Sequence, residues 1–452
     1  MNVMMAFGWA SIMLLVGTLL RAKCGILKRM IVPSAVIAGI LGLVFVNVMA
    51  HFEINAGTDS EMFTSIVNQL FTVSFISITL MDSSDKKENK TKTILKGALG
   101  IGLIWCFLYA LTPLIGGAIT SFIGGNFNMP TIYGMLIPFA FCQGPGQSVT
   151  YGTLIEQYGW ENACMTALTF STIGFIVAFL CGIPAARYGI KKGLAKKYGQ
   201  LDEITLRGYM KPEEKTASAQ KDTFCSSNIE TLSFHFGVIG LCYIMAQGIS
   251  EIFALIPGLL GTSMSSLMFL NGMYAAYIVK FIMRRMRIDY LLDNTLQNKI
   301  TGWTADYLVV CSFMAVSVYI ISAWLIPIFI ISAVVTATTF AVCLFFCQRL
   351  GADNDFERFL GTYGMSTGTA PTGIALIRVV DPDFQTATCV ELGACNPIAN
   401  ICNIPIYLMI LAYSSGEMTL MGLYCGLGIS SVLFLIALKV TGCWGKKTFI
   451  WK

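Results

Sequence analysis

The sequence predicts an all-α polytopic membrane protein: two inverted repeats of five transmembrane helices, each with a re-entrant hairpin between its fourth and fifth helix, plus one extra C-terminal helix. Three observations carry that expectation. Of 452 residues, 55% are hydrophobic and 12% charged, and the mean hydropathy is +0.70, outside the usual range of a soluble fold. The lysines and arginines fall in alternate loops. Two segments, 131–157 and 358–380, are apolar at both flanks and rich in Gly, Ser, Thr and Pro at the centre.

Apolar runs of about 20 residues match the hydrocarbon thickness of a bilayer. Eleven such runs occupy 4–22, 31–50, 62–81, 94–119, 163–186, 233–256, 262–282, 303–323, 325–347, 386–412 and 419–440. The first lacks a basic flank before it and a small-residue cleavage site before Arg21, so it reads as a retained helix that starts outside. The third is the most polar, with Asn68, Gln69, Ser74 and Ser77. Basic clusters follow the first run (Arg21, Lys23, Lys28, Arg29), the third (Lys86 to Lys96) and the fifth (Arg187 to Lys221). Others are Lys280 to Arg287 with Lys299, Arg349 with Arg358, and Lys439 to Lys452. The intervening loops carry only acids: Glu53, Asp59 and Glu61; Glu156 and Glu161; Glu251; Glu417. Short loops rich in Lys and Arg stay cytoplasmic, which puts the N-terminus outside and the C-terminus inside a bacterial cytoplasmic membrane. The net charge of +5 then sits on one face, where anionic lipid accounts for it and no nucleic-acid partner is needed.

The alternation holds only if 131–157 and 358–380 enter the bilayer and return. Were the first to cross, the 187–221 loop with its nine basic residues would lie outside. Were the second to cross, Arg378 and the basic C-terminus would lie outside. As hairpins, they leave all 30 Lys and Arg on the cytoplasmic side. Irregular backbone at membrane depth costs several kcal/mol per unpaired group and is tolerated only where protein or a water-filled cavity covers it. Gly144, Gly146, Gly364 and Gly368 allow tight turns and close approach of a ligand, while Pro145 and Pro371 interrupt the helical ladder. Ser148, Thr150, Ser366, Thr367, Thr369 and Thr372 add hydroxyls, and Gln147 an amide. Carbonyls and hydroxyls suit a hard cation such as Na⁺, and half-helix N-termini suit a carboxylate.

The domain map follows. Residues 1–188 hold five crossings and a hairpin that opens to the outside; 189–232 is a polar cytoplasmic tether. Residues 233–412 repeat the pattern upside down, because five is odd, with a hairpin that opens inside; 413–452 add a helix and a basic tail. GPGQS at 144–148 faces GMSTG at 364–368 in this comparison. The tenth crossing holds Glu391, Asn396, Asn400 and Asn403, the three amides sharing one face by i, i+4, i+7 spacing. Intramembrane acids and amides face a cavity or a partner, so Glu391 is the candidate carboxylate for a cation. The expected substrate contacts are Gly144, Gly146, Gln147, Ser148, Gly364, Ser366, Thr367, Gly368, Thr369 and Thr372. The expected Na⁺ contacts are Thr150, Pro371, Glu391, Asn396, Asn400 and Asn403. Asn271 reads as a helix-packing residue, and Arg378 as a side chain snorkelling to the interface. The 15 cysteines form no CxxC pair and His51 and His235 stand apart, so no cofactor beyond a coupling ion is expected. No HExxH motif and no paired intramembrane carboxylates mark an enzyme. An aquaporin-like or ion channel with two opposed hairpins is the second reading, since Asn396–Pro397 matches half of that signature.

At IVPSAVIAGILG (31–42), YGWENACMTALTFSTIGFIVAFLCGIPAARY (158–188) and GMSTGTAPTGIA (364–375) the chain resembles the bacterial sodium/glutamate symporter family. The resemblance covers most of residues 1–412 and aligns Gly144, Gly146 and Ser148 with the family's first turn. Gly364, Gly368, Pro371 and Thr372 align with its second. It implies Na⁺-coupled uptake of L-glutamate or a related acidic amino acid or dicarboxylate. It also implies a homodimer in lipid, and an elevator-like movement of a hairpin-bearing domain against a scaffold. Pro145 replaces the family's His, Ser148 and Ser366 replace glycines, and Asn400 stands where an acid is expected. The helix at 419–440 extends past the family's end.

Overall fold

The computed structural model describes residues 3–25, 27, 32–54, 59–81, 91–195, 230–382 and 385–451. Helices are the only regular elements among them, and eleven have 18 residues or more, one for each expected crossing. Eight of the eleven are long and apolar enough to span a membrane. A ninth, Thr388–Ser414, qualifies only as a pair bent by 45° between Asn396 and Ala399. The last two, Met268–Arg285 and Asn294–Met314, have the length but carry Lys280, Arg284 and Arg285, and Lys299 and Asp306.

Two expected spans move. The run 262–282 is broken at Leu267 into Leu259–Ser266 and Met268–Arg285. The run 303–323 becomes a helix that starts at Asn294, because the Asp293 carboxylate caps it by accepting from Leu296 N–H at 2.7 Å. That helix ends at Met314, short of 323. The polar tether lies outside the described residues over 196–229, as do Lys28, Arg29, Lys86, Lys87 and Lys90.

The chain forms two compact units, and each draws on both sequence halves. The first comprises Met1–Leu15, Ala38–Asp85 and Met210–Ala315. Its core packs Ile76 and Leu80 of α3 (Ser60–Leu80) against Val238, Ile239, Cys242 and Ala246 of α9 (Thr231–Ala254). Ala275, Ala276, Val279 and Met283 of α11 (Met268–Arg285), and Leu296 and Ile300 of α12 (Asn294–Met314), complete it. Polar residues inside this unit tie helices together. Ser77 donates to Gln297 O at 3.0 Å, and Lys280 caps the end of α3 by donating to Thr79 O at 3.3 Å and to Met81 O. Asp293 N–H donates to His235 Nε2 at 2.8 Å, which leaves the proton on Nδ1 to reach Thr231 O at 2.7 Å. Asn271 donates to Met264 O at 3.1 Å across the break at Leu267, a packing role as expected.

The second unit comprises Val16–Ile37, Lys86–Tyr209 and Val316–Lys452. Its long helices are α4 (Thr91–Ile123), α8 (Ala163–Lys191), α13 (Leu325–Cys347), α16 (Thr388–Ser414) and α17 (Leu420–Val440). Glycines let these backbones close up, since a Cβ on Gly116 would strike Gly134 O and one on Gly189 would strike the Phe356 ring. Aromatic N–H groups pin the turns: Trp160 Nε1 donates to Ser414 O at 2.8 Å, and Trp324 Nε1 to Phe127 O at 3.2 Å. Beyond α17 the chain folds back. Thr448 donates to Asp355 at 2.8 Å, and the Trp451 ring sits 4.6 Å from Tyr188 and 5.9 Å from both Phe340 and Phe359.

Candidate functional site

Both glycine-rich segments lie in the second unit, and each is a helix broken at its centre. The first runs through α5 (Thr131–Gly134), α6 (Ile137–Phe141) and α7 (Pro145–Glu156). Gly144 makes the break at φ 80°, ψ −167°, a backbone region that side chains strongly disfavour. Pro145 then opens α7 at N1, where its missing N–H costs nothing. The second runs through α14 (Asp355–Thr367) and α15 (Ala370–Val380), broken at Gly368 and Thr369. Its two arms press together through Gly364 and Gly373: a Cβ on Gly364 would lie 2.8 Å from Gly373 Cα.

The two breaks meet. A Cβ on Gly144 would strike the Thr369 methyl and lie 3.1 Å from Gly368 O. Around the junction α8 presents Gly174, where a Cβ would strike Thr367 O, and Phe175, 3.3 Å from the same construction on Gly368. Helix α4 fixes the first break with an i, i+4 pair. Trp105 Nε1 donates to Cys142 O at 2.9 Å, and Tyr109 OH to Gln143 Oε1 at 2.9 Å. Gln143 Nε2 donates onward to Asn400 Oδ1 of α16 at 3.2 Å.

The junction therefore gathers two kinds of main-chain group. The N-termini of α7 and α15 bring amide N–H groups without intrahelical partners. The C-terminal end of α14 brings carbonyls, among them Thr367 O and Gly368 O. Side chains add lone pairs. Ser148 donates to Gly144 O at 3.0 Å, Thr150 to Gly146 O at 2.9 Å and Thr367 to Tyr363 O at 2.8 Å. Their protons are committed and their oxygens still accept. Thr369 and Thr372 hydroxyls lie 3.2 Å apart, and Ser366 faces the Cys343 thiol. Buried Gln147 Oε1 and Ser366 Oγ at the breaks have no hydrogen-bond partner, nor do Ser171 Oγ and Thr172 Oγ1, three residues before Gly174 and Phe175 on α8, or both amide atoms of Asn403, three residues past Asn400 on α16. Buried polar atoms are nearly always satisfied, so these mark polar capacity that the protein itself leaves open.

Gly144, Gly146, Gln147, Ser148, Ser366, Thr367, Gly368, Thr369 and Thr372 all belong to the two breaks or the first turn beside them, and Thr150 lies in the second turn of α7. Pro371 is exposed in the first turn of α15. Gly364 is a packing contact between arms rather than part of the tip. The three amides do not lie along one straight helix, because α16 bends by 45° between Asn396 and Ala399. Asn400 and Asn403 lie beyond the bend, while Asn396 donates back to Leu392 O at 3.3 Å.

Glu391 lies in a buried ion-pair cluster. Arg358 of α14 donates to both its oxygens, Nε to Oε2 at 2.7 Å and Nη2 to Oε1 at 2.5 Å. Asp355 takes Nη1 at 2.9 Å, and all three side chains are buried. The Glu391 charge is balanced by a guanidinium, and nine residues of helix, about 13 Å of rise, separate it from Asn400. Its carboxylate is engaged by the guanidinium rather than standing at the tips. Sequence reasoning missed Arg358, Trp105, Tyr109, Gln143, Ser171 and Thr172. The Trp105/Tyr109 spacing and the position of Gln143 beside Gly144 were the available signals. Gly364 to Gly368 has the G-x-S-x-G spacing of a hydrolase elbow, but Ser366 sits in the last turn of a helix and not in a strand-to-helix turn.

Comparison with known proteins adds three findings. A family model described as sodium/glutamate symporter matches residues 1–386. None of the curated proteins matches the chain. Among solved structures, a sodium/proton antiporter of Methanocaldococcus jannaschii, determined at pH 8, overlaps with a TM-score of 0.34. Its sequence identity is 16% over 98% of this chain and 100% of that one. At that score only the family match speaks to identity. Matched over most of its length, with two broken helices meeting inside one unit, the chain belongs to the sodium/glutamate symporter family and is a membrane transporter.

Proposed function

We propose that the protein takes up L-glutamate, or a related acidic amino acid or dicarboxylate, in symport with Na⁺ by alternating access. The observation that carries this reading is the contact between the breaks at Gly144 and Gly368–Thr369. The amides of α7 and α15 receive the substrate carboxylates, and the Thr367 and Gly368 carbonyls with the neighbouring hydroxyls receive Na⁺. Gln147, Ser171, Thr172 and Asn403 complete the polar lining. Bound Na⁺ orders the helix ends and offsets the charge of the anion, so that each ligand favours the other.

In this reading both broken segments are re-entrant hairpins, from opposite leaflets of a bacterial cytoplasmic membrane, with the C-terminus cytoplasmic. The halves are inverted repeats. The second unit carries the cargo and the first, in a homodimer, stays as scaffold in an elevator-like cycle. Each elementary charge moved down a 100 mV potential supplies about 2.3 kcal/mol, so two or more Na⁺ per anion make uptake concentrative. The test is uptake of radiolabelled glutamate into proteoliposomes holding the purified protein. An inward Na⁺ gradient should drive saturable accumulation at least tenfold above a Na⁺-free control; equal uptake in both would refute the coupling, and non-saturating flux would favour a channel.

A further inference from the structure

Helices α7 and α16 face each other across a pair of buried amides. At one end Gln143 Nε2, just before α7, donates to Asn400 Oδ1 at 3.2 Å. At the other the Tyr151 and Tyr407 ring centroids lie 5.3 Å apart. Between these contacts both chains run the same way, from 143 to 151 and from 400 to 407. Gln147 stands four residues before Tyr151, and Asn403 four before Tyr407. Residues four apart share a helix face, so each amide lies on the face its tyrosine turns toward the other helix, one turn back. Gln147 is 3% exposed and Asn403 0%. Gln147 Oε1, Asn403 Oδ1 and Asn403 Nδ2 have no hydrogen-bond partner among the described residues. Two amides in contact would satisfy each other, so these two are held apart.

The three atoms are mixed in character: two accept and one donates. A bare cation uses only the acceptors, and one end of a dicarboxylate only the donor. The head group of an amino acid uses both, its ammonium donating to the amide oxygens and its carboxylate accepting from Nδ2. Gln147 is also the third residue of α7, whose opening amides have no intrahelical partner. An α-carboxylate held by those amides carries its ammonium on the adjoining carbon, within reach of the Gln147 side chain. At membrane depth a charge needs such partners, and tyrosine rings beside the amide oxygens suit a cation. We propose that Gln147 and Asn403 form an ammonium subsite, which makes the substrate an acidic amino acid and rejects the dicarboxylate of the same skeleton. This subsite rests on the transport reading above and narrows its substrate to the first of the two classes.

The test is displacement of radiolabelled L-glutamate from the purified full-length protein in Na⁺. The competitors are unlabelled L-glutamate and glutarate, which has the same skeleton without the ammonium group. Glutamate should bind about a hundredfold tighter or more, because a site built to pair a polar group rejects the analogue that lacks it. Gln147→Leu and Asn403→Leu should each weaken glutamate about tenfold while glutarate changes less than about threefold. Asn403→Asp keeps acceptor oxygens and should keep the preference, and it supplies the test should a leucine variant fail to insert. Glutarate within tenfold of glutamate overturns the subsite, as does a preference lost in Asn403→Asp. So does an equal loss of both ligands in the leucine variants, the result expected if the amides hold only a structural water. If labelled glutamate does not bind at all, the transport reading fails. Thermal-shift pairs of other amino acids and their deaminated acids then decide the subsite: stabilisation by an amino acid alone, lost in Gln147→Leu, upholds it, and no such stabilisation overturns it.

Discussion

At Arg358 a buried guanidinium meets Glu391 with two hydrogen bonds and Asp355 with a third. Gly97 of α4 makes room for it, since a Cβ there would strike both Arg358 Nη2 and Glu391 Oε1. Breaking such a pair leaves a buried charge, whereas replacing both partners by apolar groups of similar volume is often neutral. Arg358→Ala should therefore destabilise the protein by about 3–5 kcal/mol. The double variant Arg358→Met, Glu391→Leu should recover part of that loss, because Asp355 keeps its bonds from Gly351 N–H, Ala352 N–H and Thr448. Thermal unfolding in detergent reads both, and an equal loss in single and double variants would contradict the account. The sequence shows that Glu391 needs a partner but not which one. Arg358 lies 33 residues away, in a segment whose charges read as loop charges. The tip residues were legible for the opposite reason: Gly144, Gly368 and Thr369 announce themselves through backbone chemistry, which is local.

At the level of elements, the broken helices follow from composition. A centre of Gly, Ser, Thr and Pro between apolar flanks cannot stay one helix, and 131–157 and 358–380 both break. Where the sequence misled, a neighbour decided. The runs 262–282 and 303–323 mark spans with the wrong bounds: the first breaks at Leu267, and α12 starts at the Asp293 cap instead of where hydropathy rises. The face shared by three asparagines assumed a straight helix, and α16 bends between Asn396 and Ala399. The tail after α17 gave no periodic signal, yet it docks on α8, α13 and α14 through aromatic rings. Phe449 lies 5.5 Å from Phe356, and Trp451 stands among Tyr188, Phe340 and Phe359. Trp451→Ala should cost about 1–3 kcal/mol in thermal stability, less than a fully buried aromatic because the ring is half-exposed. Trp451→Phe should retain most of it. An unchanged melting temperature for the alanine variant would show that the tail is not held by that ring.

For the molecule as a whole, the sequence halves and the compact units are different divisions. The halves were read from the order of crossings, and the units from packing: each takes helices from both halves. Both broken segments nevertheless fall in one unit, together with α4, α8, α13 and α16, which touch them. That grouping depends on contacts between residues as distant as Gln143 and Asn400, which no local pattern encodes. The central claim is that the meeting point of the two breaks binds an acidic amino acid with Na⁺. Equilibrium binding of radiolabelled glutamate to the purified protein and to Gly144→Ala tests it most directly. The account predicts binding that requires Na⁺ and an affinity at least tenfold weaker in the variant at equal membrane insertion. Glutamate binding that ignores Na⁺, or equal affinity in both proteins, would contradict it.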